Sequence, residues 1–361
     1  MNDYDLVRNS DISNISGVPA FFFVRCKDNL REAGVYAKKE IIGSEVLLYS
    51  TDKSMIYDLS VVRGGRGVKL LWREDNHITL GSEIHYAEFD DDFFMSKHLI
   101  LTSSECNGKN LLPIGVVFND DCLLLSRIDV LSRKAIISVY DLDNFDLIMN
   151  EMHLDHVLHD NYFDDNQCIL ANTTLTLTSR NKCYFEFLTI TGSIITYELV
   201  WDSEGQFLKV NELFISSYKN VGFHRALIDA ENNQLLIVYS ESGLEPYNNI
   251  YVAKQKIFGS NNLVSSRSDS IRVNQTSGNY LRPYIIKNNG KYFISWEGGA
   301  VHFIEMDKDL NIVKPEEKIS AINSGNILAI AGYDVTVSYQ DPNVASKDTG
   351  INIYYNTIEN L

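Results

Sequence analysis

The residues of this chain that could do chemistry are thinly spread, and few fall at spacings that a reaction demands. The densest imidazole run is His153-Leu154-Asp155-His156-Val157-Leu158-His159-Asp160. Imidazole and carboxylate together form the ligand set of zinc or nickel. A spacing of three, however, puts successive histidines on opposite faces of a strand, and only a helical turn would gather them. The run therefore reads as a solvated loop, and no metal site is assigned. Carboxylates crowd at Glu88 and Asp90-Asp91-Asp92, ahead of Phe93-Phe94, and again at Asp160, Asp164 and Asp165. Neither group follows the D-x-[DN]-x-[DN]-G spacing of a calcium loop. Adjacent carboxylates repel and face water, so both groups read as polar turns. The sequence has no P-loop, no G-x-S-x-G elbow and no dinucleotide fingerprint. No catalytic residue and no cofactor is assigned.

Two arginines are placed more suggestively. His224-Arg225 and Leu281-Arg282-Pro283 each open an apolar run, HRALIDA and RPYII. If the two runs occupy equivalent places, the guanidinium groups point to one rim, where such a fork suits a carboxylate or phosphate. The competing reading pairs each arginine with a nearby acid, and no third arginine matches.

Composition bounds the partners. The chain has 361 residues, a formal charge of −16, 45% hydrophobic and 11% aromatic residues. That acidity argues against nucleic acid and against anionic membrane surfaces, both of which are bound through Lys and Arg. No apolar stretch approaches the roughly 18 residues of a membrane span, and the N-terminal residues carry no basic region followed by an apolar one. The five cysteines, Cys26, Cys106, Cys122, Cys168 and Cys183, are scattered and form no CxxC pair. A disulfide framework is not expected, and a reducing, cytoplasmic setting or export without a classical signal is.

The elements that must position these residues are strands. Residues 281–319 hold four β-favouring runs: PYII, KYFISW, AVHFIEM and NIVKPEEKI. They are separated by Asn288-Asn289-Gly290, Glu297-Gly298-Gly299 and Asp307-Lys308-Asp309. An Asn-Gly turn between apolar runs is a strong hairpin signal. A four-stranded meander of this size cannot bury both faces alone, so repeats of it must stack. Repetition is visible in A-K-x-x-I-x-G-S, which begins at Ala37 and again at Ala253 at nearly the same distance from a preceding apolar strand. The chain divides into seven such units. In the first, strands are expected near 3–8, 18–26, 34–42 and 45–51; in the fifth, the last strand is expected near 263–273. The seventh lacks a fourth strand, so either the N-terminal segment supplies it or the count is off by one.

This pattern resembles the β-propellers, in which four-stranded sheets stand radially around an axis. The resemblance covers the whole chain and is architectural. The WD40 Gly-His and Trp-Asp pairs, the repeated kelch double glycine and the sialidase box are missing. It implies one all-β domain over 1–361, a seven-bladed propeller of four-stranded antiparallel blades. The blades fall at approximately 1–53, 54–108, 109–160, 161–219, 220–277, 278–321 and 322–361. Two β-sandwich domains are the alternative. It also implies that the starts of first strands and the loops between second and third strands share one face. The expected binding residues on that face are His224, Arg225, Glu245, Tyr247, Arg282 and Asp341. Tyrosines at strand ends, Tyr239, Tyr247, Tyr280 and Tyr339, are further contact candidates. The expected function is a rigid, non-catalytic platform for a protein partner. The alternatives are a glycan-binding, lectin-like propeller and a glycoside hydrolase or lyase. The lectin reading requires an aromatic repeated at one place in each blade, and Trp72, Trp201 and Trp296 do not share one in the sequence.

Overall fold

The computed structural model describes residues 6–16, 18–26, 33–39, 44–62, 67–76, 78, 80–104, 110–118, 121–158, 174–179, 182–189, 193–201, 207–216, 221–229, 231–232, 234–242, 248–256, 263–265, 270–276, 278–318, 326–331, 334–340 and 353–358. Every regular element among them is a strand. No helix among the described residues is long and apolar enough to cross a membrane.

The strands form two compact units. The first unit contains three sheets, each antiparallel and each in simple up-and-down order. The first sheet is β1 (Leu6–Ile15), β2 (Val18–Cys26), β3 (Ala33–Lys39) and β4 (Glu45–Thr51). The second is β5 (Ser54–Val61), β6 (Val68–Asn76), β7 (Ser82–Phe89) and β8 (Met95–Ser104). The third is β9 (Asn110–Phe118), β10 (Cys122–Asp129), β11 (Lys134–Asp141) and β12 (Leu147–His153).

The second unit begins with β13 (Thr174–Ser179), β14 (Lys182–Leu188), β15 (Ile194–Trp201) and β16 (Phe207–Ser216). Next come β17 (Val221–Asp229), β18 (Gln234–Ser242), β19 (Asn248–Lys256), β20 (Leu263–Ser265) and β21 (Ser270–Arg272). The sixth sheet is β22 (Leu281–Asn288), β23 (Lys291–Glu297), β24 (Val301–Met306) and β25 (Ile312–Lys318), and the last is β26 (Asn326–Ala331), β27 (Asp334–Gln340) and β28 (Ile353–Ile358). The single long strand expected near 263–273 is two short ones. β20 pairs in parallel with β16 and gives that sheet five strands, whereas β21 completes the following sheet beside β19. The last sheet has three strands, and β1 pairs with β2 in its own sheet.

Local chemistry explains the turns. Between β22 and β23 the two-residue turn has φ 49° at Asn289 and 75° at Gly290, the positive pair that a right-twisted hairpin requires. The acidic run at Asp90-Asp91-Asp92 is a built turn as well, as is Asp307-Lys308-Asp309, while Asp160, Asp164 and Asp165 lie outside the described residues. Asp90 Oδ1 accepts from the backbone N–H groups of Asp92 and Phe94, and Asp307 Oδ1 from those of Asp309 and Asn311. In each of these turns an apolar residue, Phe93 or Leu310, takes a positive φ and tucks into the core. The carboxylates therefore shape the chain, as short polar side chains do at turns.

Second strands carry the cores. Phe22, Val24, Leu70 and Trp72 pack in one cluster between the first two sheets, and Leu236, Val238, Ile294 and Trp296 in another between the fifth and sixth. Four sheets also share one aromatic device. Phe23–Tyr36, Trp72–His85, Tyr239–Tyr251 and Trp296–His302 are each directly opposed on second and third strands. Their rings stack at 12°, 17°, 21° and 7° with centroids 5.3–5.8 Å apart. Such pairs add about 0.5–1.5 kcal/mol each beyond area burial.

Candidate functional site

The first strands deviate from regular pairing at one recurrent place. In β5, β9 and β22 a bulge lies opposite Trp72, Arg127 and Trp296 respectively. Each bulge contains a residue with positive φ: Asp58 at 52°, Leu112 at 49° and Arg282 at 48°. Non-glycine residues in this region are uncommon, and bulges re-aim side chains at sheet rims. In the first unit the bulges are tied to one another. Asp58 Oδ2 accepts from Leu112 N at 3.1 Å and lies 3.3 Å from the buried Arg73 Nε. The Ser60 hydroxyl donates to the Pro113 carbonyl.

In the second unit the bulge presents Arg282, the arginine singled out in the sequence. Its Nη1 donates to Glu297 Oε2 at 3.1 Å and Oε1 at 3.4 Å, and its side chain is 30% exposed. Glu297, the last residue of β23, lies opposite Leu281. Two residues beyond Arg282, Tyr284 carries the guanidinium of Arg225 over its ring at 4.8 Å. Arg225 and Arg282 thus each have an intramolecular partner, the Tyr284 ring and the Glu297 carboxylate. The rim-pairing reading holds for Arg282. Substituting both arginines would cost packing as well as any recognition, because Arg225 covers Tyr284 and Glu297 would lose its ion pair with Arg282.

His224 does not line this surface. It is wholly buried opposite Tyr239. Burial, with the charge of Arg225 adding, pushes its imidazole down to about 3, so it stays neutral. Glu245, Tyr247 and Asp341 lie outside the described residues.

Across the same sheet, on β24 and β25, a second set of polar contacts ties the strands to residues 275–280. Glu316 of β25 accepts from Gln275 N at 2.6 Å, Thr276 N at 3.0 Å and Thr276 Oγ1 at 2.8 Å. His302 Nδ1 lies 2.8 Å from the same carboxylate. Tyr280, buried against Trp296 and His302, meets Thr276 Oγ1 through its hydroxyl at 2.5 Å. Only a glycine fits at Gly298, where a Cβ would come within 2.1 Å of the Tyr280 ring.

The other candidates resolve differently. Tyr239 and Tyr280 are buried and serve packing. Tyr339 has its backbone in β27, its side chain lying outside the described set. His153 ends β12 and His156 follows in a bend, while His159 lies outside the described residues. Among the described residues no group of three His, Cys, Asp or Glu could hold a metal ion. Trp72 and Trp296 do share one place, on second strands opposite a histidine, while Trp201 ends β15. All three are fully buried and offer no face to a sugar. The sequence hid this device because the Trp–His spacing depends on loop length, 13 residues in one sheet and six in the other.

No protein-family model and no curated protein sequence matches the chain. Solved structures do. A prolyl endopeptidase, studied for the role of inter-domain dynamics in catalysis and specificity, superposes with a TM-score of 0.53 at 11% identity, over 100% of this chain and 51% of that one. The β-propeller domain of the Trilobed protease from Pyrococcus furiosus gives 0.53 at 10% identity, over 98% and 94%. An acylaminoacyl peptidase gives 0.53 at 10% identity, over 99% and 52%. The chain thus spans about half the length of two of these proteins and nearly all of the Trilobed propeller domain. At such identities the likeness shows the fold, a β-propeller of four-stranded antiparallel blades. The expectation of a non-catalytic platform for a protein partner is corrected by the same finding, because these three propellers belong to peptidases.

Proposed function

We propose that the chain is a seven-bladed propeller of the hydrolase type, acting on peptides, each of its seven sheets being a blade. The carrying observation is that three peptidase structures align with essentially the whole chain at TM-scores of 0.53. On this reading the rim around Arg225, Tyr284, Arg282 and Glu297 contacts substrate. A half-exposed guanidinium beside a carboxylate offers complementary partners to a peptide's own charged and amide groups, and an aromatic ring adds area at low entropic cost.

The test is equilibrium binding of short N-blocked peptides, with oligosaccharides in parallel, to wild type and to Arg282→Lys. Lysine keeps the pairing with Glu297 but loses the planar fork. Peptide binding weakened about tenfold in the variant, at unchanged melting temperature, supports the proposal. Binding of oligosaccharides alone refutes it.

A further inference from the structure

The face of the second sheet that turns toward the first carries ionisable groups that the proposed function does not use. His85 of β7 is buried, and its Nδ1 lies 2.9 Å from Nε2 of His98 on β8. The two neutral rings share one hydrogen, donated by one and accepted by the other. The rings of Trp72, His85 and His98 form one stack with interplanar angles of 13–19°. On its other side, His85 Nε2 lies 3.5 Å from Glu74 Oε2 and 3.4 Å from Glu83 Oε2. The first sheet closes over this stack. Tyr49 of β4 packs its ring against Trp72, His85 and His98, its hydroxyl donates to Glu74 Oε2 at 2.8 Å, and Thr51 Oγ1 donates to Glu74 Oε1 at 3.0 Å.

We propose that His85 and His98 form an acid-operated latch that fastens β4 of the first sheet onto the second. The facing titratable groups are Tyr49 from β4, Glu74 from β6, Glu83 from β7 and His98 from β8. With both rings neutral, the shared hydrogen bond and the ring stack present a flat, uncharged floor to Tyr49. One added proton is accommodated, because the pair still has one donor and one acceptor and the carboxylates lie beside Nε2. A second proton sets two N–H groups against each other at the present 2.9 Å and stacks two cations, so the rings must part. When they part, the floor beneath Tyr49 goes, and β4 lifts from Glu74.

Burial pushes His85 down to about 4, against the pull of Glu74 and with His98 adding. Burial lowers His98 too, again against Glu74. Both rings are therefore neutral at neutral pH, and the latch responds below the ordinary 6.5 of a histidine.

Amide hydrogen exchange across the full chain tests the latch. Corrected for intrinsic rates, protection of β4 should fall at least about tenfold between pH 7 and pH 4.5, while β22–β25 stay protected. His98→Gln keeps a hydrogen-bonding group next to His85 but cannot carry the second charge, so β4 should stay protected there. Equal loss in the variant, or uniform loss over all sheets, overturns the proposal. A second readout needs no variant: the Cε1 proton resonances of wild type should show two imidazoles titrating below the ordinary 6.5 in step with β4 opening. Titration of both near 6.5 overturns it. Neither experiment depends on the peptide reading of the Arg282 rim.

Discussion

Glu186 is the most exposed to test of the buried charges, because nothing offsets its burial. It sits on β14 directly opposite Thr196 of β15, and both side chains have no solvent exposure. Among the described residues neither carboxylate oxygen nor Thr196 Oγ1 has a hydrogen-bond partner. Burial pushes the carboxyl up to about 8 from the usual 4.5. The folded state thus holds a proton that the unfolded chain releases above about pH 4.5. A raised carboxyl contributes stability that is fully present below the unfolded value and is lost as pH rises through the folded one. The gap corresponds to roughly 5 kcal/mol across that window. Glu186→Gln keeps the shape and the uncharged state while removing the titration. Urea unfolding followed by circular dichroism at pH 5, 6.5 and 8 measures the effect. Wild type should lose several kcal/mol between the ends of that range, most of it above pH 6, and the variant should lose far less. Parallel curves for the two proteins would falsify the assignment of Glu186 as a protonated buried acid.

Two further perturbations test the ties at the bulges and the second set of polar contacts. Asp58→Asn should cost about 3 kcal/mol, the low end for breaking a buried ion pair, because Asp75 still lies 3.3 Å from Arg73 Nε. Asparagine tolerates the positive φ at this position, so denaturant unfolding reads the charge and not the backbone. Glu316→Gln should cost about 2–3 kcal/mol through the weakened hydrogen bonds at a charged acceptor. Burial pushes the Glu316 carboxyl up, but the hydrogen bonds from Thr276 and Gln275 and the charge of His302 outweigh it and hold it below 4.5. Its contribution is therefore present above the unfolded value and lost as pH falls through the folded one. Thermal melts at pH 7 and pH 3 should show the variant's deficit shrinking in acid.

Much of the architecture is legible in the residues themselves. Asn289-Gly290 announces its hairpin because few other pairs accept two positive φ values, and runs such as Leu123-Leu124-Leu125 identify second strands buried on both faces. Less legible was β1, which runs on to Ile15 through the polar Ser10, Asp11 and Ser13. Its polarity has a use that no local pattern shows, since Asp11 accepts from Val61 N in the neighbouring sheet. The split of residues 263–272 between two sheets likewise depends on which edge lies near. At the candidate site the sequence named Arg225 and Arg282. It could not show that Glu297, 15 residues on, neutralises one, or that Tyr284 of the next sheet underlies the other, because pairing across strands and sheets is fixed by register. His224 was misread as a rim residue for a similar reason. Alternation turns it from the face of its neighbour Arg225 into the core.

The function proposed for this propeller is a part in the hydrolysis of peptides. The direct measurement is mass spectrometry of a pool of short N-blocked peptides, and of a matched pool of oligosaccharides, after incubation with the protein purified from its native source with whatever it carries. Cleavage of peptides, reduced by Arg282→Lys, is the predicted result. Intact peptides alongside cleaved oligosaccharides would contradict the account and move the chain to the glycoside hydrolases.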